Sequence, residues 1–232
     1  MISVIAFDGL NRCGKGTQTQ MLQRHLEELG ILAIIVRGDG SREGGGGSQG
    51  DPKSLWWGSF KTRLEGLEKG RQWFDQWNQA ACLLAREFIH WKEIRMPVIM
   101  SKVGYEDGAL LIDRSLISRI MVLRQADEYN GLESLYTIGG LSQGIDWEDV
   151  LPDVLFNFNV PHQVLLSRLE SDDPKYQFRR EIIDRCFSLH VSVTKNLPNA
   201  INARTINIDG DRVPGNIHTD ILAASLPLIQ RT

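Results

Sequence analysis

The chain is poor in cysteine, with three in 232 residues, Cys13, Cys82 and Cys186, far apart and without a C-x-x-C spacing. So odd and scattered a set suggests neither a disulfide framework nor a zinc site, and reduced thiols are expected. An excess of positive charge is also missing. The 26 Lys and Arg stand against 29 Asp and Glu, for a net charge of −3. No global basic field exists to hold a nucleic-acid backbone, so a DNA or RNA polymer is not an expected partner. The longest apolar runs, such as Ile31 to Val36 and Ala109 to Ile112, are strand-sized. They fall far below the ~20 residues a membrane span needs, and no membrane partner is expected. The opening residues Met1 to Phe7 lack the basic flank and small-residue cleavage site of a secretory signal, and a cytoplasmic location is the expectation.

What is present is ordinary globular composition, 42% hydrophobic and 24% charged, at a length that favours one large domain. Short β-branched apolar runs alternate with longer stretches of helical period, the pattern of an α/β fold in which a parallel sheet is wrapped by helices. Strands are expected at Ser3–Phe7, Leu32–Val36, Leu110–Asp113, Val154–Val160 and Thr205–Ile208. Helices are expected to begin near Gly14, Leu55, Trp73, Ser115, Pro161, Pro174 and Asn216. Pro161 and Pro174 suit first-turn positions, where a missing N–H costs nothing. Gly44 to Gly47 lie in a run, Arg37 to Gly50, that reads as a flexible loop of about 38–52 after the second strand, either a solvated linker or a substrate flap. Most tryptophans read as helix-face packing, with Trp73, Phe74 and Trp77 as a candidate base-stacking surface. The five histidines, His25, His90, His162, His190 and His218, are dispersed and suggest no catalytic cluster.

The chemistry concentrates at Gly9-Leu10-Asn11-Arg12-Cys13-Gly14-Lys15-Gly16-Thr17, a G-x-x-x-x-G-K motif between the first strand and a helix expected over Gln18–Leu29. Its glycines let the backbone curl so that several N–H groups converge on phosphate oxygens, and the helix dipole faces the same anion. Lys15 supplies a mobile charge for β and γ phosphates. Gly16 stands where most P-loops carry a metal-binding hydroxyl, leaving Thr17 to hold Mg²⁺ or a phosphate. Leu110 to Asp113-Arg114 is an apolar strand that ends in a carboxylate and a guanidinium. Those side chains belong at the carboxyl edge of the sheet, where open α/β folds bind ligands. A structural salt bridge is the alternative. The DxxG and NKxD pair of GTPases is not found where it should fall.

At these residues the chain resembles the thymidylate kinases, nucleoside monophosphate kinases that move the γ-phosphate of ATP to dTMP. Phe7 to Gln18 resembles the family's FEGxDRxGKSTQ loop in its eukaryotic-type form, whose arginine is catalytic and matches Arg12. Asp113-Arg114-Ser115-Leu116-Ile117-Ser118 resembles DRYxxS. Pro152-Asp153-Val154 through Ser167-Arg168-Leu169 is similar to the family's PDLxxxLDVPPEVALxRI strand and helix. Ile208 to Pro214 resembles the IDAxRSP loop near the adenine, which brings in Arg212. The resemblance implies a single P-loop kinase domain over 1–232, a three-layer fold with a five-stranded parallel sheet and a small lid over about 171–181. In it Arg12, Lys15 and Asp113 are catalytic, and Gly9, Asn11, Cys13, Gly14, Gly16 and Thr17 belong to the ATP loop. Mg²⁺ sits on Thr17 and Asp113, and Arg179 or Arg180 reaches from the lid. The acceptor nucleotide falls to Arg37 or Arg42, Arg86, Arg114 and Ser118, with Phe74 as a stacking candidate. The family commonly dimerises through core helices, which makes Trp73 to Trp91 a candidate homodimer surface.

Three departures stand out. Asn11 replaces an aspartate that reads the sugar hydroxyl, Ser115 replaces an aromatic residue, and Val122-Leu123-Arg124-Gln125 replaces an AYQ continuation. Asp113-Arg114-Ser115 is close to the ERS motif of deoxynucleoside kinases, which lack the loop arginine. The alternatives are therefore a deoxynucleoside kinase and a nucleotide-binding regulator without catalysis.

Overall fold

A computed structural model describes residues 1–37, 89, 91–114, 151–169, 176–196 and 204–230. In chain order these form β1 (Ile2–Gly9), α1 (Lys15–Glu28) and β2 (Leu32–Arg37). A π-helical turn, Trp91–Arg95, then runs into α2 (Met96–Val103), followed by β3 (Gly108–Asp113), β4 (Val154–Asn159), α3 (His162–Ser167), α4 (Tyr176–Asn196), β5 (Thr205–Asp209) and α5 (Pro214–Ile229). The helices expected near Leu55, Trp73 and Ser115, the glycine-rich loop, and residues 171–175 of the expected lid lie outside the described residues.

The strands form one five-stranded sheet in the order β2-β3-β1-β4-β5, and every neighbouring pair is parallel. A parallel sheet covered on both faces reads as continuous apolar runs, and β1 shows this directly, with Val4, Ile5, Ala6 and Phe7 all buried. Successive residues of β1 meet different layers. Ser3 Oγ donates to the Leu228 carbonyl of α5 at 2.9 Å, whereas Val4 packs with Met96 and Met100 of α2. Helices α1 and α5 share one face. This is a three-layer α/β fold. Phe7 stacks obliquely on its register partner Phe156, with ring centroids 5.5 Å apart, which fixes the centre of the core.

Each strand lies where the apolar runs placed it, with shifted ends. β1 continues two residues past Phe7 to Gly9 because Asp8, a residue that normally marks a loop, is buried there. Helix α1 starts at Lys15, as the expected beginning near Gly14 required, three residues ahead of Gln18. Pro161 precedes the first helical residue of α3, and its ψ of 141° is extended.

From β1 the chain passes to β2 at one edge, returns to β3, then crosses β1 to β4. The connections after β1 and β3 therefore leave in opposite directions. Such a reversal opens a crevice at the carboxyl ends of those two strands, and it places Gly9 beside Asp113, the register partner of Phe7.

Candidate active site

The loop after β1 is shaped by backbone geometry. Gly9 has φ 149° and Gly14, which caps α1, has φ 97°, values that L side chains resist. Cys13 N–H donates to the Leu10 carbonyl at 3.4 Å, closing the turn. Lys15 is buried, and its Nζ donates to the same carbonyl at 3.1 Å. The ammonium is thereby held over the concave side of the loop. Thr19, one turn further, gives its hydroxyl to the Lys15 carbonyl at 2.9 Å, so Thr17 is the loop hydroxyl on the cleft.

That cleft measures about 790 Å³ and is lined by Asn11 through Thr17, by Asp113 and Arg114, and by Arg168, Arg179, Gly210 and Arg212. Gly9 does not line it. A Cβ there would stand 2.7 Å from Cys13 Sγ and 3.0 Å from Phe158 Cβ, so Gly9 lets the loop fold down onto β4. Arg37 ends β2 as the register partner of Asp113. Arg42, Phe74, Arg86 and Ser118 lie outside the described residues. Residues 176–181 of the expected lid form the opening turns of α4. There Arg179 reaches the cleft, while the exposed Arg180 lies 3.8 Å from Asp184 on its own helix.

Arg12 and Arg114 are the non-glycine residues of positive φ among the described residues, at 66° and 72°. Strained backbone of this kind persists where the surroundings over-determine it, and the surroundings here are visible. Arg114 N–H donates to the Phe7 carbonyl at 3.0 Å, and its Nη2 donates to Asn11 Oδ1 at 2.6 Å. The strand-end arginine is thus tied to the P-loop by main chain and side chain.

Two features escaped the sequence reading. Arg168, at the end of α3, donates from Nη1 to the Arg12 carbonyl at 3.3 Å and from Nη2 to the Gly210 carbonyl at 3.0 Å. It also contacts Asp211 Oδ1 at 3.3 Å, so one guanidinium clamps the P-loop to the loop after β5. Its signal was the arginine of the matched helix motif. The second feature is Asp8 and His190, both buried beneath the loop. Burial pushes the His190 imidazole below its ordinary value and Lys15 acts in the same sense, opposed by the Asp8 carboxylate and the Phe158 backbone. No periodic pattern marks either residue.

Among the described residues the cleft gathers six cationic side chains, Arg12, Lys15, Arg114, Arg168, Arg179 and Arg212, against one carboxylate, Asp113. Such a lining selects a polyanion. Asp113 is buried, and its Oδ1 has no hydrogen-bond partner among the described residues. A buried carboxylate oxygen left open is costly, and with the Thr17 hydroxyl on the same cleft these residues fit Mg²⁺, which commonly takes one or two carboxylates and completes its shell with phosphates and water.

A parallel sheet whose central strand turns through a glycine loop into a helix, at a cation-lined crevice, defines an α/β fold of the P-loop type. The chain is similar in structure to the thymidylate kinase of Ehrlichia chaffeensis, with a TM-score of 0.54 over 97% of this chain and 98% of that one. The two are 19% identical, so the likeness speaks for the fold. No protein-family model matches the chain, and no curated protein matches it in sequence. Among the described residues no helix is long and apolar enough to cross a membrane.

Proposed function

We propose that this protein is a nucleoside monophosphate kinase that transfers the ATP γ-phosphate to a (deoxy)nucleoside monophosphate, dTMP or a related pyrimidine nucleotide. The observation that carries the reading is the meeting, in one cleft, of the P-loop lysine and arginine with the β3-end arginine, joined by the 2.6 Å bond from Arg114 to Asn11. One nucleotide needs the loop. A second phosphate-bearing ligand accounts for a planar guanidinium fork at the end of β3, next to the loop, since that fork suits bidentate phosphate binding.

Phosphoryl transfer is chiefly positioning and charge stabilisation. Lys15 moves from the Leu10 carbonyl to the donor phosphates, and Arg12 stabilises charge on the group in transit. Arg114 holds the acceptor phosphate in line with it, assisted by Arg86 and by Arg37 or Arg42. Arg179 and Arg212, which also line the cleft, are assigned to the ATP. Asp113 and Thr17 would hold Mg²⁺, which would supply charge neutralisation to the donor phosphates. The likeness to a thymidylate kinase supports the same class, as does the loop arginine that separates this subclass from deoxynucleoside kinases.

The test is an ATP-dependent phosphorylation screen over nucleosides and nucleoside monophosphates, read by product mass. Diphosphate products from monophosphate acceptors are expected. Products from nucleosides alone point to the deoxynucleoside kinase, and ATP binding without any product points to a regulator.

A further inference from the structure

The peptide unit between Arg12 and Cys13 is held at both of its ends. Its carbonyl accepts a hydrogen bond from Arg168 Nη1 at 3.3 Å, and its N–H, that of Cys13, donates to the Leu10 carbonyl at 3.4 Å. Arg12 itself has φ 66°, a left-handed conformation that is unfavourable for any residue with a side chain. Such a residue relaxes unless its surroundings hold it. Once the plane of the peptide that follows is fixed, so is the direction in which the Arg12 side chain leaves the loop.

The other half of the Arg168 guanidinium is anchored. Nη2 donates to the Gly210 carbonyl at 3.0 Å and lies 3.3 Å from Asp211 Oδ1. That loop is itself tied to the sheet, since Gly210 N–H donates to the Asn159 carbonyl at 2.9 Å. It also presses on the P-loop, where a Cβ on Gly210 would stand 2.9 Å from the Cys13 carbonyl oxygen. One rigid planar fork thus spans two carbonyls on separate loops, a geometry that a lysine ammonium does not reproduce. We infer that Arg168 is a positioning residue for Arg12: through the Arg12 carbonyl it holds the loop arginine in the left-handed conformation from which its guanidinium meets the phosphoryl group in transit. The inference rests on the proposed kinase reading for what Arg12 does, and on the clamp geometry for how it is held. Arg168 also lines the cleft, so a plain contribution of charge to ATP binding is the competing account.

Steady-state kinetics of the full chain separate the two, with ATP as donor and dTMP, or the nucleoside monophosphate that the screen finds in its place, as acceptor. The proteins compared are wild type, Arg168→Met, Arg168→Lys, Arg12→Ala and the Arg12→Ala/Arg168→Met double variant. Thermal melts confirm folding. Arg168→Met is expected to lower kcat on the order of tenfold or more, the scale of one charge-assisted hydrogen bond, while the KM for the acceptor stays nearly unchanged. In the Arg12→Ala background the same substitution should cost almost nothing further in kcat, because the group that Arg168 positions is gone. Arg168→Lys keeps the charge and loses the fork, so its kcat should stay close to that of Arg168→Met. Equal losses from Arg168→Met in the two backgrounds, or a wild-type kcat in Arg168→Lys, overturn the inference and leave the kinase reading intact. Wild type that binds ATP and phosphorylates no nucleoside monophosphate overturns the kinase reading, and the inference with it. If Arg168→Met does not fold, the same comparison is run with Arg168→Lys in the two backgrounds, and equal losses there refute the positioning role.

Discussion

Four glycines around the loop separate two physical demands that are usually confounded, a backbone angle and a lack of room. Gly9 combines φ 149° with crowding: an added Cβ would lie 2.7 Å from Cys13 Sγ and 3.1 Å from the Phe158 carbonyl. Gly14 has φ 97° but nothing within 4 Å. Gly210 has ordinary φ but would place its Cβ 2.5 Å from Val160 Cγ2 and 2.9 Å from the Cys13 carbonyl oxygen. Gly16, inside α1, has neither constraint. Replacing a helical glycine by alanine stabilises by roughly 0.5–1 kcal/mol, so Gly16→Ala should raise stability by about that much. Left-handed backbone costs an alanine roughly 1–2 kcal/mol, partly offset by the lower entropy of the unfolded chain, so Gly14→Ala should lose about 0.5–1 kcal/mol. Overpacking costs roughly 1–3 kcal/mol, which is the expectation for Gly210→Ala. Gly9→Ala adds backbone strain to the clash and should lose about 2–5 kcal/mol. At roughly 2–4 °C per kcal/mol for a chain of this size, the Gly9 variant should melt about 4–20 °C lower. Melting curves and urea titrations of the four variants read the order directly. Both crowded positions press on Cys13, so Gly9→Ala and Gly210→Ala should also lose ATP affinity. If Gly9→Ala proves as mild as Gly14→Ala, the Cys13 and Phe158 contacts do not limit the loop, and the reasoning fails.

Three further outcomes follow from the site. Arg12→Ala should lower kcat on the order of 10³-fold, in the range of an arginine finger supplied in cis, and an unchanged kcat in a steady-state assay removes the main ground for the monophosphate kinase subclass. Asp113→Asn keeps the shape of the buried side chain while removing its charge, so it should weaken the Mg²⁺ dependence of turnover, seen as a higher Mg²⁺ concentration for half-maximal rate, and identical titrations refute its assignment to the metal. Burial holds the His190 imidazole below its ordinary pKa of 6.5 in the folded chain. The unfolded chain therefore takes up the proton first, and the contribution of neutral His190 to stability is fully present above about pH 6.5 and is lost as the pH falls from there toward the folded pKa. His190→Phe should flatten the fall in melting temperature across that interval, and a slope unchanged from wild type refutes the buried-imidazole account.

Much of this was legible in the chain, for reasons that differ by feature. The five strands announced themselves because a sheet covered on both faces selects unbroken apolar runs such as Leu110 to Ile112 and Val154 to Phe156. The loop was legible because phosphate binding needs glycine at fixed intervals and a lysine at a fixed place. The sheet order was not written in any local pattern, since it depends on which way each connection crosses. Asp8 hid the end of β1, because a carboxylate buried on a central strand is stabilised by neighbours that only the fold supplies. Arg168 stood in a recognised motif, yet its role as a clamp rests on carbonyls at Arg12 and Gly210, 156 and 42 residues away. The π-helical turn before α2 has no periodic signature. The Arg114 to Asn11 contact needed both strand ends in place.

The central position of β1 sets a schedule for the chain's synthesis. Asp153, just before β4, accepts a 2.7 Å hydrogen bond from Val4 N–H across 149 residues, so β1 leaves the ribosome long before its neighbour on that side exists. At roughly 5–20 residues per second the delay is about 7–30 s. Throughout it Ile2 to Phe7, the most apolar stretch of the loop-bearing strand, has no second edge to pair with, and such unpaired edges are what chaperones hold and aggregates recruit. Arg12 of the P-loop precedes by 156 residues the Arg168 that clamps it to the loop after β5. A truncated chain ending before β4 would carry the complete loop motif without the Arg168 clamp that joins it to Gly210.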